Sequence, residues 1–519
     1  MASTAPAPAG VGRAVYLINP PNVYSKSGTT LIGIPPIGLA YVASSLAAQG
    51  LEVRIVDAYA EWMGQHRREE FGGVACGVEG ATTGQILERI PEGALCVGIT
   101  CMFMHQWPLV REIARAVHAG RPQVPILLGG EHVTGAYKYI MPEVPFAYAC
   151  LGEGEATAVD FCRALSQGKG LDSVAGLAFF KDGRLEVTAR RPRIRELDRL
   201  PWPAWGLIPL ERYMLRKQFT GPSRGSSMPM VATRGCPYRC TFCTAPHMWA
   251  SRWVARDPAE VVREMEAYRV LYGADDFQLV DLTTMIQYRW IESFCRTLIE
   301  KGWPGLRWQM PTGSRCEIMD QNLAVLLYRS GCRNVVLAPE SGSKRVLRRI
   351  KKRVDSRSVP RAVRVARRSK IRVECNFIIG FPDETLAEIA ATWWSIFKLA
   401  LLGVENIAYT AYRPTPGSAL AEQAVSRGLL AFNDTVYMNV MHSSNLFRVV
   451  SASEIFGDRL LSILRFAGIL LFYTTSFLVR PWRLGRLLVN LALGRQETRL
   501  ERVVKELTQR RLRRSPLRV

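Results

Sequence analysis

The sequence predicts an α/β chain in three successive parts: a doubly wound N-terminal sheet, a partial β/α barrel, and a helical, basic C-terminal region. Three observations predict it. Residues 13 to 170 alternate short apolar runs with helical patterns, as parallel sheets with crossover helices do. A loop of three cysteines then lies between a strand-like Val231-Ala-Thr-Arg-Gly and a capped helix start at Asp257-Pro-Ala-Glu. Strand, loop and helix in that order open a β/α barrel. Finally, residues 421 to 519 carry apolar helical stretches interleaved with arginines. The expected parts are a disordered Ala/Pro-rich leader over 1–12, an α/β domain over 13–170, a hairpin and linker over 171–227, a barrel over 228–420 and the helical region over 421–519.

In the first part, Ala14-Val-Tyr-Leu-Ile-Asn reads as a buried strand, and Ile37 to Gln49 as a helix closed by Gly50. Leu51 to Asp57, Cys96 to Thr100, Val124 to Gly130 and the start of Tyr148 to Glu155 supply further strands. Doubly wound sheets bind ligands at the carboxyl ends of their strands. Here those ends carry Pro35-Pro36-Ile-Gly38, Thr100-Cys101-Met-Phe-Met-His105, Gly129-Gly130-Glu131-His132-Val-Thr134 and Leu151-Gly152-Glu153-Gly154-Glu155. Glycines at these points let the backbone approach a large flat ligand. A short hairpin around Lys181-Asp-Gly-Arg184 and the rigid connector Leu200-Pro-Trp-Pro-Ala-Trp205 follow.

In the second part, Cys236, Cys240 and Cys243 form a C-x3-C-x2-C loop, with Gly235 and Pro237 supplying its turn. Three thiolates are one short of a closed zinc shell, but three cysteines on a 4Fe–4S cubane leave one iron open. A zinc knuckle with His247 as fourth ligand is the competing reading. Zinc sites usually pair ligands from two separated clusters, and no second C-x2-C lies near. Later strands end in polar or glycine positions where barrel chemistry belongs: Asp281, Arg315, Glu340, Gly380 and Gly417.

The cysteine loop resembles that of the radical S-adenosylmethionine (SAM) superfamily. The resemblance implies that the open iron chelates SAM, whose cleavage gives a 5′-deoxyadenosyl radical. It also implies SAM contacts at Phe242, Asp281, Arg315, Glu340 and Gly380. The first part is similar to the cobalamin-binding, Rossmann-like domain that precedes the barrel in one branch of that superfamily. The match rests on Pro-Pro-Ile-Gly-Leu-Ala, Leu-Gly-Gly-Glu-His-Val-Thr and Leu-Gly-Glu-Gly-Glu. It implies cobalamin contacts at Pro36, Gly38, Thr100, Cys101, Gly129, Gly130, Glu131, His132, Gly152, Glu153 and Gly154. The D-x-H-x-x-G motif that supplies a lower cobalt ligand is absent, so His105 and His132 are the nearby imidazoles to weigh.

The branch implies methylation of an unactivated carbon in a small-molecule natural product or lipid. In that scheme one SAM supplies a methyl group to cobalamin, and a second, held at the cluster, generates the radical that removes a substrate hydrogen. The same cofactors also serve oxidative cyclisation or ring rearrangement. RNA methylthiotransferases share the cysteine loop, but the second cysteine triad that they carry has no counterpart between Asn19 and Pro36. Nucleic acid is therefore disfavoured. A flavodoxin- or ferredoxin-type reductant for the cluster is implied.

Composition bounds the rest. A hydrophobic content of 48% with 22% charged residues suits a globular protein. Most of the other cysteines lie in apolar runs and read as small core residues, and free thiols suit a reducing cytoplasm. The net charge of +23 concentrates between Lys344 and Arg372 and between Arg480 and Val519. For the apolar stretch Ile455 to Val479 two readings stay open: a helix packed on the barrel, or an interfacial helix that makes the protein peripheral at a membrane surface.

Overall fold

The structure is a computed structural model that describes residues 14–25 and 33–504, apart from residues 356, 444, 446, 447, 496, 499 and 502. The expected leader over 1–12 and the end of the basic tail lie outside the described residues.

The first part contains β1 (Val15–Asn19), β2 (Asn22–Tyr24), β3 (Val53–Asp57), β4 (His66–Phe71), β5 (Val74–Glu79), β6 (Cys96–Thr100), β7 (Ile126–Gly129), β8 (Tyr148–Cys150), β9 (Leu177–Lys181) and β10 (Arg184–Val187). Its main sheet runs β10-β9-β8-β7-β6-β1-β3, parallel from β8 to β3. The central strands are continuous apolar runs because helices cover both faces, and Val15, Leu17, Ile18, Val97 and Leu128 are all buried. The chain order reverses at β1, where β3 lies on one side and β6 on the other. That switch point opens a crevice at the carboxyl ends of β1 and β6. The helix from Ile37 ends at Ala47, two residues before the expected Gln49, and Gly50 follows at φ +76°.

Two features depart from the sequence reading. The hairpin β9–β10, expected to stand between the domains, pairs antiparallel with β8 and forms the edge of the first sheet. A second antiparallel sheet, β2-β5-β4, lies beside it and was not foreseen. Both depend on pairings between segments far apart in sequence, which local patterning does not specify.

The barrel is built from β11 (Ser227–Met230), β14 (Asp276–Leu279), β15 (Arg307–Ser314), β16 (Cys332–Glu340), β17 (Arg372–Ile379) and β18 (Asn406–Ala411), side by side in that order and all parallel. Six strands leave the barrel open on one side. Between β11 and β14, the short β12 (Thr233–Arg234) and β13 (Val254–Ala255) pair antiparallel, Thr233 with Ala255 and Arg234 with Val254. They clamp the two ends of the cysteine loop together. The following helix, Pro258–Tyr272, starts as its sequence predicts, with the Asp257 side chain accepting from Ala259 N at 2.8 Å.

The C-terminal helix Asp458–Val479 packs on the helix Leu386–Leu402 and on β18. It is long and apolar enough to cross a membrane, but Leu461, Leu464 and Phe472 are buried against the barrel. The arginines beyond it serve the fold. Arg480 donates to Ala400 O and Leu401 O, and Arg483 to Gly403 O and Val404 O, so they satisfy carbonyls at and just beyond the end of Leu386–Leu402. Packing on the barrel is thus the reading that the structure displays for this region.

Candidate active site

The carboxyl ends of the first sheet face the mouth of the barrel across a single cleft. From the first domain it is lined by Gly38, Thr100, Gly129, Gly130, Glu131, Gly152, Glu153 and Gly154. From the barrel come Val231, Thr233, Arg234, Gly235, Trp249, Val280 and Asp281. Leu17, Ile37, Leu39, Val42 and Leu127 make much of the wall apolar. A Cβ added at Gly38 or Gly152 would meet no atom within 4 Å, so these bare backbones look onto open space that a ligand can fill. Gly130 is bare for another reason: at φ +112° its Cβ would come within 2.5 Å of Cys101 O. Gly130→Ala is expected to cost about 2 kcal/mol or more in stability, read as a lower urea midpoint, and to distort this wall of the cleft.

Three of the expected cobalamin contacts stand off the cleft. Pro36 precedes the helix Ile37–Ala47; Cys101 is buried, its N–H donating to Gly129 O at 2.7 Å. His132 packs edge-on against Tyr437 at 5.4 Å and lies 6.4 Å from Trp107. Burial pushes both His105 and His132 down to about 3, so each is neutral at ordinary pH. Neither imidazole lines the cleft.

The cysteine loop sits at the barrel side of the same space. Gly235 enters it at φ +85°, where a Cβ would fall 2.0 Å from Arg252 O, so only glycine fits. Thr241 N donates to Ile350 O at 3.0 Å, and the Thr244 hydroxyl donates to Glu131 at 3.0 Å across the domain boundary. Cys236, Cys240 and Cys243 are half-buried. Burial raises the Cys240 thiol, with Lys352 pulling it the other way, and pushes Cys243 up to about 12; each also feels the neighbouring cysteines. Among the described residues, no three His, Cys, Asp or Glu donors converge on a point that would hold one ion. Three thiolates on one short loop suit a cubane, in which each takes a different iron, better than a zinc shell, which needs a fourth ligand.

Comparison with known proteins decides the assignment. Residues 32–161 match the B12 binding domain, and residues 230–392 match the Radical SAM superfamily. The chain is a cobalamin-dependent radical SAM enzyme. Its cofactors are a 4Fe–4S cluster, SAM and cobalamin, and the half-buried cysteine triad and the glycine-lined cleft fit such groups. An uncharacterized methyltransferase of Pyrococcus horikoshii is 28% identical over 90% of this chain and 93% of its own length. Cytidylyl-2-hydroxyethylphosphonate methyltransferase of Streptomyces wedmorensis is 28% identical over 78% and 80%. The fold is shared with the radical SAM methyltransferase TsrM of Kitasatospora setae, solved with cobalamin and a [4Fe-4S] cluster bound: TM-score 0.62 at 18% identity, covering 80% of this chain and 78% of that one.

The radical SAM enzyme gathers the residues expected to touch SAM around its cysteine loop, but only Asp281 reaches the cleft wall. Asp281 is buried just past β14 and accepts from Ala232 N at 2.9 Å and from the Thr233 hydroxyl at 2.8 Å; burial pushes its carboxyl up to about 6. Arg315 follows β15 and stacks on Tyr238 of the loop at 3.8 Å, with Glu317 as its ion pair. Glu340 ends β16 at φ +64°, unusual for a residue other than glycine, and pairs with buried Lys352 at 2.8 Å. Phe242 meets Phe381 edge-on at 5.9 Å, beside Gly380 at φ +80°.

Glu384 lies wholly buried behind the Gly380 turn and was not singled out by its sequence. Its Oε2 accepts from Gly380 N at 2.6 Å and Phe381 N at 3.4 Å, while Oε1 has no partner among the described residues. Burial pushes this carboxyl up to about 7 against those two N–H bonds. The folded chain therefore holds a proton that the unfolded chain releases between about pH 4.5 and 7, so stability falls as pH rises through that window. Glu384→Gln is expected to flatten this slope. Near pH 8 it should stabilise the fold by about 1–3 kcal/mol in urea unfolding, with little change near pH 5.

Sequence reasoning also missed Arg234, which ties the two cofactor domains together. From β12 it reaches Glu155 at 2.6 Å and Glu153 at 3.2 Å, and its guanidinium lies 4.8 Å from the centre of the Tyr41 ring. Glu153 also accepts from Arg193 Nε at 2.7 Å and Ile194 N at 2.9 Å. Glu153, read from sequence as a cobalamin contact, thus lines the cleft with its carboxylate already committed to two arginines. The signal lay in the pairing of Gly-Glu-Gly-Glu with an arginine two residues before Cys236, a long-range match that no local pattern marks.

Proposed function

We propose that this enzyme transfers a methyl group from SAM to an unactivated carbon of a small-molecule natural product or lipid lying in the cleft. The observation that carries the reading is that one cleft is lined both by the strand-end glycines of the B12 binding domain and by the residues leading into the cysteine loop. When bound, the cluster and SAM supply one-electron chemistry and cobalamin supplies a methyl carrier. The chain's own residues position and shield. Gly38, Gly129, Gly130, Gly152 and Gly154 leave backbone room for a broad flat group, and the aliphatic wall around them excludes water. Arg234 with Glu153 and Glu155, and Thr244 with Glu131, hold the two halves at a fixed separation, the condition for a substrate carbon to meet both. The relatives named as methyltransferases support methyl transfer.

The test is to incubate the reduced holoenzyme with methyl-labelled SAM and fractionated small-molecule extract, then search by mass spectrometry for products. A product carrying the intact labelled methyl group on carbon supports the reading. A product that has lost two hydrogens and carries no label would replace it with oxidative cyclisation. A low-potential reductant is the partner that either reaction needs.

A further inference from the structure

The cations that this chemistry does not use gather at the opposite end of the barrel. Arg224 precedes β11, and Arg307, Arg333 and Arg372 stand at the first or second position of β15, β16 and β17. Lys217, Lys370 and Arg495 join them around a cavity of about 460 Å³, a size typical of small-ligand sites. Lys370 and Arg372 come from one of the two basic stretches of the sequence and Arg495 from the other, so the fold brings both to one place.

Acidic groups do not balance this cluster. Glu497 is the one carboxylate on the cavity wall among the described residues, and Arg372 holds it at 2.7 Å. Asp275 lies 3.8 Å from Arg307. Arg224 Nε is buried without a partner among the described residues, and the nearest acceptor of its Nη2 is Glu497 O at 3.3 Å. Burial, and after it the neighbouring Arg372, push the Arg224 guanidinium down to about 10, against the pull of Asp276, Glu374 and Glu497.

We propose that this cavity binds an anion bearing one or more phosphate groups. Converging arginine forks match phosphate oxygens in pairs, and each phosphate would satisfy donors now left over. No residue lines both spaces, and the four-residue strands β11 and β14 stand between them, about 13 Å of extended chain, so the ligand takes no part in the reaction. An electron donor, which must sit near the cysteines, is excluded as the occupant on the same ground.

The probes are inorganic pyrophosphate, titrated calorimetrically into the full-length holoenzyme at constant ionic strength, and phosphatidylcholine vesicles with or without phosphatidic acid. Lys217→Gln/Lys370→Gln is the variant of choice, because both side chains are exposed and lie outside the catalytic cleft. Saturable pyrophosphate binding is expected, with a Kd raised about tenfold or more in the double variant and SAM cleavage unchanged. Cosedimentation with phosphatidic acid vesicles that the same variant abolishes would assign the phosphate to a lipid headgroup. Binding that sulfate reproduces at equal ionic strength, binding unchanged in the variant, or no saturable binding of either probe would overturn the proposal.

Discussion

Cys240→Ala is expected to reduce 5′-deoxyadenosine formation from SAM to the no-enzyme background while cobalamin stays bound. Cys240 lies mid-loop, close enough to the Glu340–Lys352 ion pair for Lys352 to act on its thiol, and on the barrel side of the site. The loop ends are clamped by β12 and β13 and by bonds from Thr241 and Thr244, none of which involves the Cys240 side chain. Losing one of three thiolates removes the cluster without collapsing its surroundings. The cobalamin wall belongs to the other domain, on its own sheet. Iron content and deoxyadenosine are the readouts on one side, corrin absorbance after desalting on the other. Loss of cobalamin together with iron would mean that the two domains do not hold their cofactors separately.

The second large effect is expected at Arg234→Met. Removing this guanidinium leaves the Glu155 carboxylate buried without its ion pair and Glu153 with Arg193 alone. Breaking one side of a buried ion pair costs about 3–5 kcal/mol, because the remaining charge cannot recover its hydration. The loss should appear as a lower urea midpoint. Because the broken contact joins the domains, cobalamin retention should also fall. Arg234→Lys keeps the charge but not the fork that reaches two carboxylates, so a partial rescue is expected. An unchanged midpoint in the methionine variant would show that the domains are held elsewhere.

The parts of the fold that were legible in the sequence are those written locally. The buried strands β1, β3, β6 and β7 are apolar runs bounded by turn residues, and the Asp257 cap announces its helix directly. The cysteine triad is legible because its spacing is short and its chemistry specific. Strand-end glycines were legible through a rule of the fold class, and eight of the eleven residues expected to hold cobalamin line the cleft. What stayed hidden depends on distance along the chain. The hairpin β9–β10 could not be seen as the edge of the first sheet because its partner β8 lies beyond the helix Gly154–Ser166. Arg234 looked like one arginine among many until Glu153 and Glu155 stood beside it. His132 sits in a glycine-rich motif, yet the helix that begins there turns its ring toward Tyr437, away from the space its neighbours line. The arginines after Val479 looked like a solvated or membrane-facing surface, and several instead cap helix carbonyls or crowd the cavity beneath the barrel.

The most direct test of the central claim, that one chain carries a cluster and a corrin facing a shared cleft, is the metal content of protein purified without oxygen from a cobalamin-supplied host. About four irons and one cobalt per chain, without zinc, are expected. Zinc in place of iron would contradict the reading of Cys236, Cys240 and Cys243, and iron without cobalt would contradict the role given to the glycine-lined wall.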